Sequence, residues 1–306
     1  MYAGRLRNQV SFMLSACNFY MPIFEEALDA YGLPLELRYL PIIESALNPS
    51  AVSRAGASGL WQFMIGTGKI YGLESNSLVD ERRDPIKATW AAARYLKEMY
   101  DIYGDWNLVI AAYNCGPGTI NKAIRRANGE TDYWKIYNYL PKETRGYVPA
   151  FIAANYVMTY YCDHNICPME TNIPASTDTV QVNKNLHFEQ IADLCNVPLD
   201  QIKSLNPQYK KQMIPGDSKP YTLRLPIDAI STFIDKQDTI YTHRADELFR
   251  NRKTVAVKDI TPATRKTTSA VAGKGNLTYY TIKSGDTLST IARKYGVTIK
   301  DIQRWN

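Results

Sequence analysis

The sequence predicts a mainly α-helical domain followed by small modules that mix strands and helices. Residues 9–161 carry apolar side chains at helical spacing nearly throughout, and strand signals are scarce there. After Pro168 the composition changes, and residues 179–226 have the pattern of a strand, two helices and a strand. We therefore expect an all-α globule of roughly 150–170 residues, with small α+β modules behind it.

Turn and capping residues set the predicted limits of the helices. The first long helical region ends at Gly32, and Pro34 opens the next helix, where a missing N–H costs little. Further helices are predicted over residues 86–100, 107–113 and 147–161, the second of them ended by Gly116-Pro117-Gly118. Small residues of the first of these three helices, with one tyrosine, form a face for close packing: Ala88, Ala91, Ala92 and Tyr95.

The two late segments share one spacing of apolar residues, which predicts an internal repeat. In both, an Ile-Ala pair is followed by a valine, an isoleucine and a final asparagine. The members are Ile191, Ala192, Val197, Ile202 and Asn206 in the first copy, and Ile291, Ala292, Val297, Ile302 and Asn306 in the second. We place the modules at residues 178–228 and 278–306, joined by a basic, polar linker over 229–277.

Charge and apolar content exclude several classes of protein. The chain has 306 residues, 45% of them hydrophobic, and a formal net charge of +6. No apolar run approaches the roughly 18–20 residues that span a bilayer. Much of the positive charge lies in the linker-like stretch 245–276, and no Lys/Arg run alternates with aromatic residues, so we expect no nucleic-acid partner.

The five cysteines do not form a metal-binding pattern. Cys162 and Cys167 are separated by four residues, and no second matching pair follows. A disulfide between these two and free thiols are both open alternatives. We expect neither a metal nor a cofactor.

Glu44 is the leading candidate for a catalytic group. It ends the apolar helical run LPIIES, shortly before the helix-ending pair Asn48-Pro49. Burial raises the pKa of a carboxyl group, and the negative end of a helix dipole acts in the same direction. A carboxylic acid that stays protonated near neutral pH can act as a general acid. The alternative interpretation is an ordinary surface or capping glutamate.

The segment YTIKSGDTL, residues 280–288, resembles the start of a LysM module. The resemblance implies a βααβ fold that binds glycans containing N-acetylglucosamine. Residues 278–306 hold only part of such a module. The earlier copy has Asn183-Lys184-Asn185-Leu186 in place of the Gly-Asp-Thr-Leu turn. For that copy, a structural role and a glycan-binding site are both open.

Four separated blocks in the first half resemble the catalytic domain of lytic murein transglycosylases, specifically the membrane-bound D type of the family-23 glycosidases. The blocks are LPIIES (residues 40–45), GLWQFM (59–64), AAYNCG (111–116) and LPKETRGYVP (140–149). The resemblance implies a goose-lysozyme-like catalytic domain over residues 1–170, with its core at about residues 33–161.

The resemblance also implies a reaction and a set of site residues. Glu44 would be the single acid/base that cleaves the β-1,4 bond between N-acetylmuramic acid and N-acetylglucosamine, leaving 1,6-anhydromuramic acid ends. Tyr113 would hold the Glu44 carboxyl or the oxocarbenium-like centre with its phenol. Glu143 would form a buried pair with a nearby arginine or orient sugars, and Trp61 would form a groove wall. The implied substrate-binding residues are Ser53, Gln62, Tyr113, Asn114 and Glu143. Capping for Gln62 and Asn114, and core packing for Tyr113, are the structural alternatives.

Two other functions fit parts of this pattern. A goose-type hydrolytic muramidase shares the fold, but it would use a second carboxylate. Asp80, Glu81 and Asp84 are more simply interpreted as capping or solvated charges. A non-catalytic LysM protein that binds peptidoglycan is the other alternative.

The expected partner is the peptidoglycan glycan strand, and the expected state is a monomer. The expected location is the bacterial periplasm or cell envelope. The start of the chain lacks a signal-peptide pattern. We therefore expect the targeting segment, and a lipid anchor to the outer membrane, to lie outside this sequence.

Overall fold

The computed structural model describes residues 2–170, 173–174 and 176–249 of the chain. We call residues 2–170 the helical domain and residues 176–249 the C-terminal module. The predicted second module and the predicted linker from residue 250 onward lie outside the described residues. Within the described part, no helix is long and apolar enough to cross a membrane.

The helical domain contains eight α-helices and three short 3-10 turns. The α-helices are α1 (Arg7–Ala30), α2 (Leu40–Ser45), α3 (Ile65–Ile70), α4 (Pro85–Tyr103), α5 (Trp106–Cys115), α6 (Pro117–Arg126), α7 (Tyr133–Ile136) and α8 (Lys142–Thr159). The 3-10 turns are Leu35–Tyr39, Glu81–Arg83 and Tyr137–Tyr139. The prediction of a mainly helical first domain is confirmed.

Helix α5 is the centre of the helical domain. Residues 108–112 of α5 are all buried, and α5 packs against α4 on one side and α8 on the other. Helix α4 also packs on α1, and its small buried residues Ala88, Ala91 and Ala92 allow close packing of the helices around it. This packing fixes α8, which in turn supports the short helix α2.

Capping residues explain where the helices begin, including one that the sequence did not reveal. The Asp84 carboxylate accepts hydrogen bonds from the backbone N–H groups of Ile86 and Lys87, both at 3.0 Å, at the start of α4. The sequence pattern places Pro117 at a helix end. It occupies the first turn of α6, where proline is tolerated because its missing N–H has no partner in the helix.

The C-terminal module has the predicted order of strand, two helices and strand. Strand β1 (Thr177–Val182) pairs antiparallel with β4 (Tyr221–Pro226), and helices α9 (Phe188–Cys195) and α10 (Leu199–Leu205) lie between them in sequence. A second small antiparallel pair, β2 (Asn185–His187) with β3 (Met213–Pro215), was not predicted.

Residues placed in the linker continue the module instead. Helices α11 (Ile227–Asp235), α12 (Gln237–Thr242) and α13 (Ala245–Leu248) follow β4 directly. Phe233 is 1% exposed and Ile240 is fully buried in the apolar cluster of the module. The prediction that the linker begins at residue 229 is therefore wrong, because α11 and α12 cover apolar surface that would otherwise face water.

Replacing Phe233 by alanine tests whether α11 belongs to the folded module. We expect Phe233→Ala to lower the free energy of unfolding by about 3–5 kcal/mol, because it removes a buried aromatic ring and leaves a cavity. Its neighbour Ile234 is 57% exposed, so Ile234→Ala on the same helix should change the free energy of unfolding by less than about 1 kcal/mol. Urea unfolding of the full chain measures both. Equal effects of the two substitutions would show that α11 does not pack on the module.

Candidate active site

Helix α2 places Glu44 at the edge of an open cleft. Leu40, Pro41 and Ile42 are buried and anchor α2 against the domain. Ala46 has a left-handed backbone, with φ of 51°, and ends the helix directly after Ser45. Glu44 therefore lies in the last turn of α2, with its side chain partly exposed toward the cleft.

The Glu44 carboxyl is held in a desolvated environment. Burial is the main cause that raises its pKa, from an ordinary 4.5 to about 7. The hydroxyl of Tyr147 donates a hydrogen bond to Glu44 Oε1 and lowers the pKa, while the nearby charge of Glu143 raises it. Although the residue borders the cleft, the protein around its carboxyl group determines its protonation near neutral pH.

Tyr147, rather than Tyr113, holds the carboxyl group. The hydroxyl of Tyr113 donates to the backbone carbonyl of Trp61 at 2.7 Å. Tyr147 reaches Glu44 because it lies on α8, which packs against α2. Tyr147 belongs to the fourth sequence block, LPKETRGYVP, but its role could not be inferred from its position in that block.

All of the second sequence block except Met64 lies in a tight loop, residues 51–63, beside α2. Isolated bridges pair Ser58 with Val52 and with Phe63. The side-chain nitrogen of Gln62 donates to the carbonyls of Ala51 (3.2 Å) and Gly59 (2.8 Å). The amide of Gln62 therefore helps to close the loop on which it lies.

Ser53 lies at the exposed side of the same loop. Its hydroxyl oxygen accepts a hydrogen bond from the backbone N–H of Ala57 at 3.0 Å. Ser53 and Gln62 line the same cleft as Glu44, and Ser45 joins the loop to α2 by donating to the carbonyl of Leu60 at 2.9 Å. The structure thus places two of the predicted substrate-binding residues in the cleft.

The cleft encloses about 470 Å³ between α2, the loop 51–63 and the start of the chain. Residues on or before α1 form one wall: Tyr2, Leu6, Gln9 and Met13. Among the lining residues of the described chain, Glu44 is the one acidic group. The residues that the structure describes contain no cluster of His, Cys, Asp or Glu able to hold a metal ion.

The other three predicted site residues, Tyr113, Asn114 and Glu143, lie outside the lining of this cleft. Asn114, at the end of α5, accepts a hydrogen bond through Oδ1 from the hydroxyl of Thr144 at 2.9 Å. This bond ties the third sequence block to the fourth. Glu143 is exposed, so the expectation that it forms a buried pair with an arginine is wrong.

Trp61 and the acidic residues before α4 also differ from their sequence interpretation. Trp61 is fully buried and donates to the hydroxyl of Thr89 at 2.9 Å, so it is a core residue and not a groove wall. Asp84 caps α4 as expected. Asp80 and Glu81 are buried, at 1% and 5% exposure, and are not solvated charges.

The sequence matches three family models, in the order that the sequence patterns predict. The transglycosylase SLT domain matches residues 21–136, the LysM-like domain of the lytic transglycosylase MltD matches residues 176–242, and the LysM domain matches residues 280–306. The chain therefore combines a transglycosylase SLT domain with LysM-type modules. The predicted resemblance is therefore confirmed.

Individual relatives agree with this family. The chain is 34% identical over 279 residues to membrane-bound lytic murein transglycosylase D of Escherichia coli K12. This match covers 90% of this chain. The chain spans 57% of the length of that relative. It is 33% identical to the soluble lytic murein transglycosylase of the same organism, over 39% of this chain and 19% of that protein.

A solved structure is similar over part of the chain. The 70 kDa soluble lytic transglycosylase of Escherichia coli matches with a TM-score of 0.41 and 29% identity. The match covers 47% of this chain and 24% of that chain.

The raised pKa of Glu44 makes the stability of the SLT domain depend on pH. Between pH 4.5 and about 7 the folded domain retains a proton that the unfolded chain releases, so its free energy of unfolding falls as pH rises through this window. Glu44→Gln replaces the titrating carboxyl group with an amide that does not titrate in this range. We expect the variant to gain about 1–3 kcal/mol relative to the natural chain between pH 5 and pH 8.

Urea unfolding of both proteins at a series of pH values measures this difference. Parallel stability curves for the two proteins would show that Glu44 titrates at an ordinary pKa.

Proposed function

We propose that this chain is a peptidoglycan lytic transglycosylase with Glu44 as its single acid/base. The observation that carries the proposal is a desolvated carboxyl group with a pKa of about 7, in a cleft whose other described lining residues carry no carboxylate. The substrate bond would be the β-1,4 linkage between N-acetylmuramic acid and N-acetylglucosamine. The family match and the names of the relatives support this substrate class.

One carboxyl group can perform both proton transfers of this reaction. Protonated Glu44 donates its proton to the glycosidic oxygen as the bond from that oxygen to C1 of the muramoyl residue breaks. The resulting carboxylate then accepts the proton of the muramoyl 6-hydroxyl as O6 bonds to C1. The proton returns to the group that supplied it, and the product is a 1,6-anhydro ring. A pKa near neutrality suits both steps.

Tyr147 would control the charge on Glu44 during this cycle. Its hydroxyl donates to Oε1, and a donated hydrogen bond stabilises the carboxylate that forms after the first proton transfer. The second carboxyl oxygen, Oε2, would then carry the proton that is transferred. Tyr147 would be a positioning residue whose contact is already formed before substrate binds.

The remaining predicted residues would serve the same reaction with different roles. Ser53 and Gln62 line the cleft and would contact the glycan. Tyr113 and Asn114 would support the site through their bonds to Trp61 and Thr144. We further propose that the protein acts as a monomer in the bacterial cell envelope, with a lipid anchor supplied by sequence outside this chain.

Glu143 supports a second candidate, a hydrolytic muramidase. It is exposed, and its charge lies near enough to raise the pKa of Glu44. A second carboxylate that activates water would give products with reducing ends. This candidate shares Glu44 as the acid and differs only in the nucleophile.

The mass of the products separates these two reactions. We expect digestion of purified sacculi to release muropeptides with anhydro ends, each lighter by one water than a hydrolytic product, and Glu143→Gln to leave this product type unchanged. Glu44→Gln should lower turnover by at least about a thousandfold, because no other carboxyl group lines the described part of the cleft.

Binding of the Glu44→Gln variant to sacculi is the control, and we expect it to be retained. Products with reducing ends only would support the hydrolase. Undiminished turnover of the variant would contradict the role of Glu44, and an absence of turnover in the natural chain would favour a protein that only binds the wall.

The pH dependence of turnover tests the role of Tyr147. Activity should fall above pH 7 as Glu44 loses the proton it must donate. Tyr147→Phe removes the bond that stabilises the carboxylate, so the alkaline limb should move up by about one pH unit. Tyr113→Phe is the matched control, because its hydroxyl bonds Trp61 and not Glu44. A limb that moves equally in both variants, or in neither, would contradict this assignment.

A further inference from the structure

The loop before α4, residues 74–83, contributes apolar residues to the core of the C-terminal module. Leu78 and Val79 are 3% and 0% exposed, and they lie in the apolar cluster of the C-terminal module rather than in that of the helical domain. Val79 pairs with Tyr209 in an isolated antiparallel bridge. Next to it, the backbone N–H of Asp80 donates to Gln208 and that of Lys210 donates to Leu78, both at 2.8 Å. A segment of the helical domain therefore forms part of the apolar core of the C-terminal module.

Polar contacts reinforce this junction. Lys210 Nζ donates to the carbonyl of Asn76 at 2.7 Å and lies 3.6 Å from Asp80 Oδ2. At the far side of the same loop, the hydroxyl of Tyr221 and the ammonium of Lys219 both contact the Glu74 carboxylate. Two lysines of the module thus approach two different carboxylates of the loop.

Asp80, which contacts Lys210, also pairs with Arg82, and Arg82 contacts the loop 51–63. Arg82 forms a buried bidentate pair with Asp80, with Nε and Nη2 each 2.8 Å from a carboxylate oxygen. Burial alone would raise the pKa of Asp80, but Arg82 and Lys210 outweigh it and hold the pKa below its usual value. The Asp80 carboxylate is therefore charged and is shared between the module and Arg82.

The other end of Arg82 holds the loop 51–63 at two points. Its Nη1 donates to the carbonyl of Gly56 at 2.8 Å and to the carbonyl of Phe63 at 2.9 Å. Gly56 lies within the loop, shortly after Ser53, and Phe63 lies at its end, directly after Gln62. The fixed planar fork of an arginine can hold a carboxylate and two carbonyls together, which a lysine cannot do.

The loop also rests directly on the backbone of Arg82. A Cβ atom at Gly59 would lie 1.8 Å from the carbonyl oxygen of Arg82, and Gly59 has φ of +89°, so only glycine fits there. Arg83 adds a bond from Nε to the hydroxyl of Ser58 at 3.1 Å. The loop thus depends on this turn for several of its contacts.

We propose that the C-terminal module is a positioning element of the active site, acting through Lys210, Asp80 and Arg82 to hold the loop 51–63 in its substrate-binding form. This inference rests on the proposed function, because Ser53 and Gln62 are the glycan contacts that the loop would position. The positioning role of the module would not depend on whether the module itself binds glycan. Arg82 is a positioning residue, since it acts through the loop.

Substitutions at both ends of this connection test the proposal. Arg82→Gln removes the two carbonyl bonds, and we expect KM for soluble peptidoglycan strands to rise about tenfold, with kcat per folded enzyme changed less than about twofold. Lys210→Met removes an ammonium group on the module side whose side chain is 21% exposed, and it should raise KM about threefold. The double variant should match Arg82→Gln alone, because both residues act through Asp80.

Lys219→Met is the matched control. It lies at the same junction but contacts Glu74 and not Asp80, so KM should stay at the natural value. A purely structural role for Arg82 would lower the active fraction of enzyme and leave KM unchanged.

Amide hydrogen exchange supplies a readout that does not need activity. The N–H groups of Ser53, Ser58 and Gly59 form hydrogen bonds inside the loop, and they should exchange faster in Arg82→Gln and Lys210→Met than in Lys219→Met. Unchanged KM with unchanged exchange in Lys210→Met, a variant that keeps the buried ion pair, would overturn the inference. So would an equal effect of Lys219→Met. An absence of turnover in the natural chain would overturn the proposed function instead, while the exchange rates would still decide the role of Arg82.

Discussion

The hydrogen bond from Tyr147 to Glu44 closes the arrangement on which the site depends. The four sequence blocks are connected in a ring: Ser45 bonds Leu60, Tyr113 bonds Trp61, Asn114 accepts from Thr144, and Tyr147 returns to Glu44. Each bond joins one block to the next. Because the ring is closed, the Glu44 carboxyl is fixed by elements that all pack on the central helix or its neighbours, and its desolvation follows from the core rather than from the cleft.

This arrangement explains how one short helix can carry a group with an unusual pKa. A helix of six residues has little stability of its own, so α2 depends on its buried face and on α8. The left-handed residue Ala46 turns the chain away immediately after Ser45, so the segment beyond α2 can return as the loop 51–63 beside Glu44. The buried residues that anchor α2 and the candidate catalytic residue Glu44 therefore lie on the same short helix. The loop beside it is held from the opposite direction, through Arg82 and the C-terminal module.

The sequence predicted what depends on neighbouring residues and missed what depends on distant ones. Glu44 at the end of an apolar run, the Asp84 cap, and the strand-helix-helix-strand order of the module all follow from local patterns. Tyr147 contacts a residue 103 positions away, and no local pattern shows which tyrosine of many will do so. The burial of Asp80 likewise needs Arg82 and Lys210 around it. Helix α11 had a detectable signal, the apolar residues Ile230, Phe233 and Ile234, but the polar stretch that follows concealed it.

The central claim is that the folded protein keeps Glu44 protonated near neutral pH, and a direct titration tests it. Carbon-13 NMR of side-chain carboxyl groups in the full chain follows each glutamate separately, and the signal absent from Glu44→Gln belongs to Glu44. The structure predicts a midpoint of about 7 for that signal. A midpoint near the ordinary value of 4.5 would contradict the account, because the carboxyl would then be ionised near neutral pH, where the proposed reaction needs it protonated.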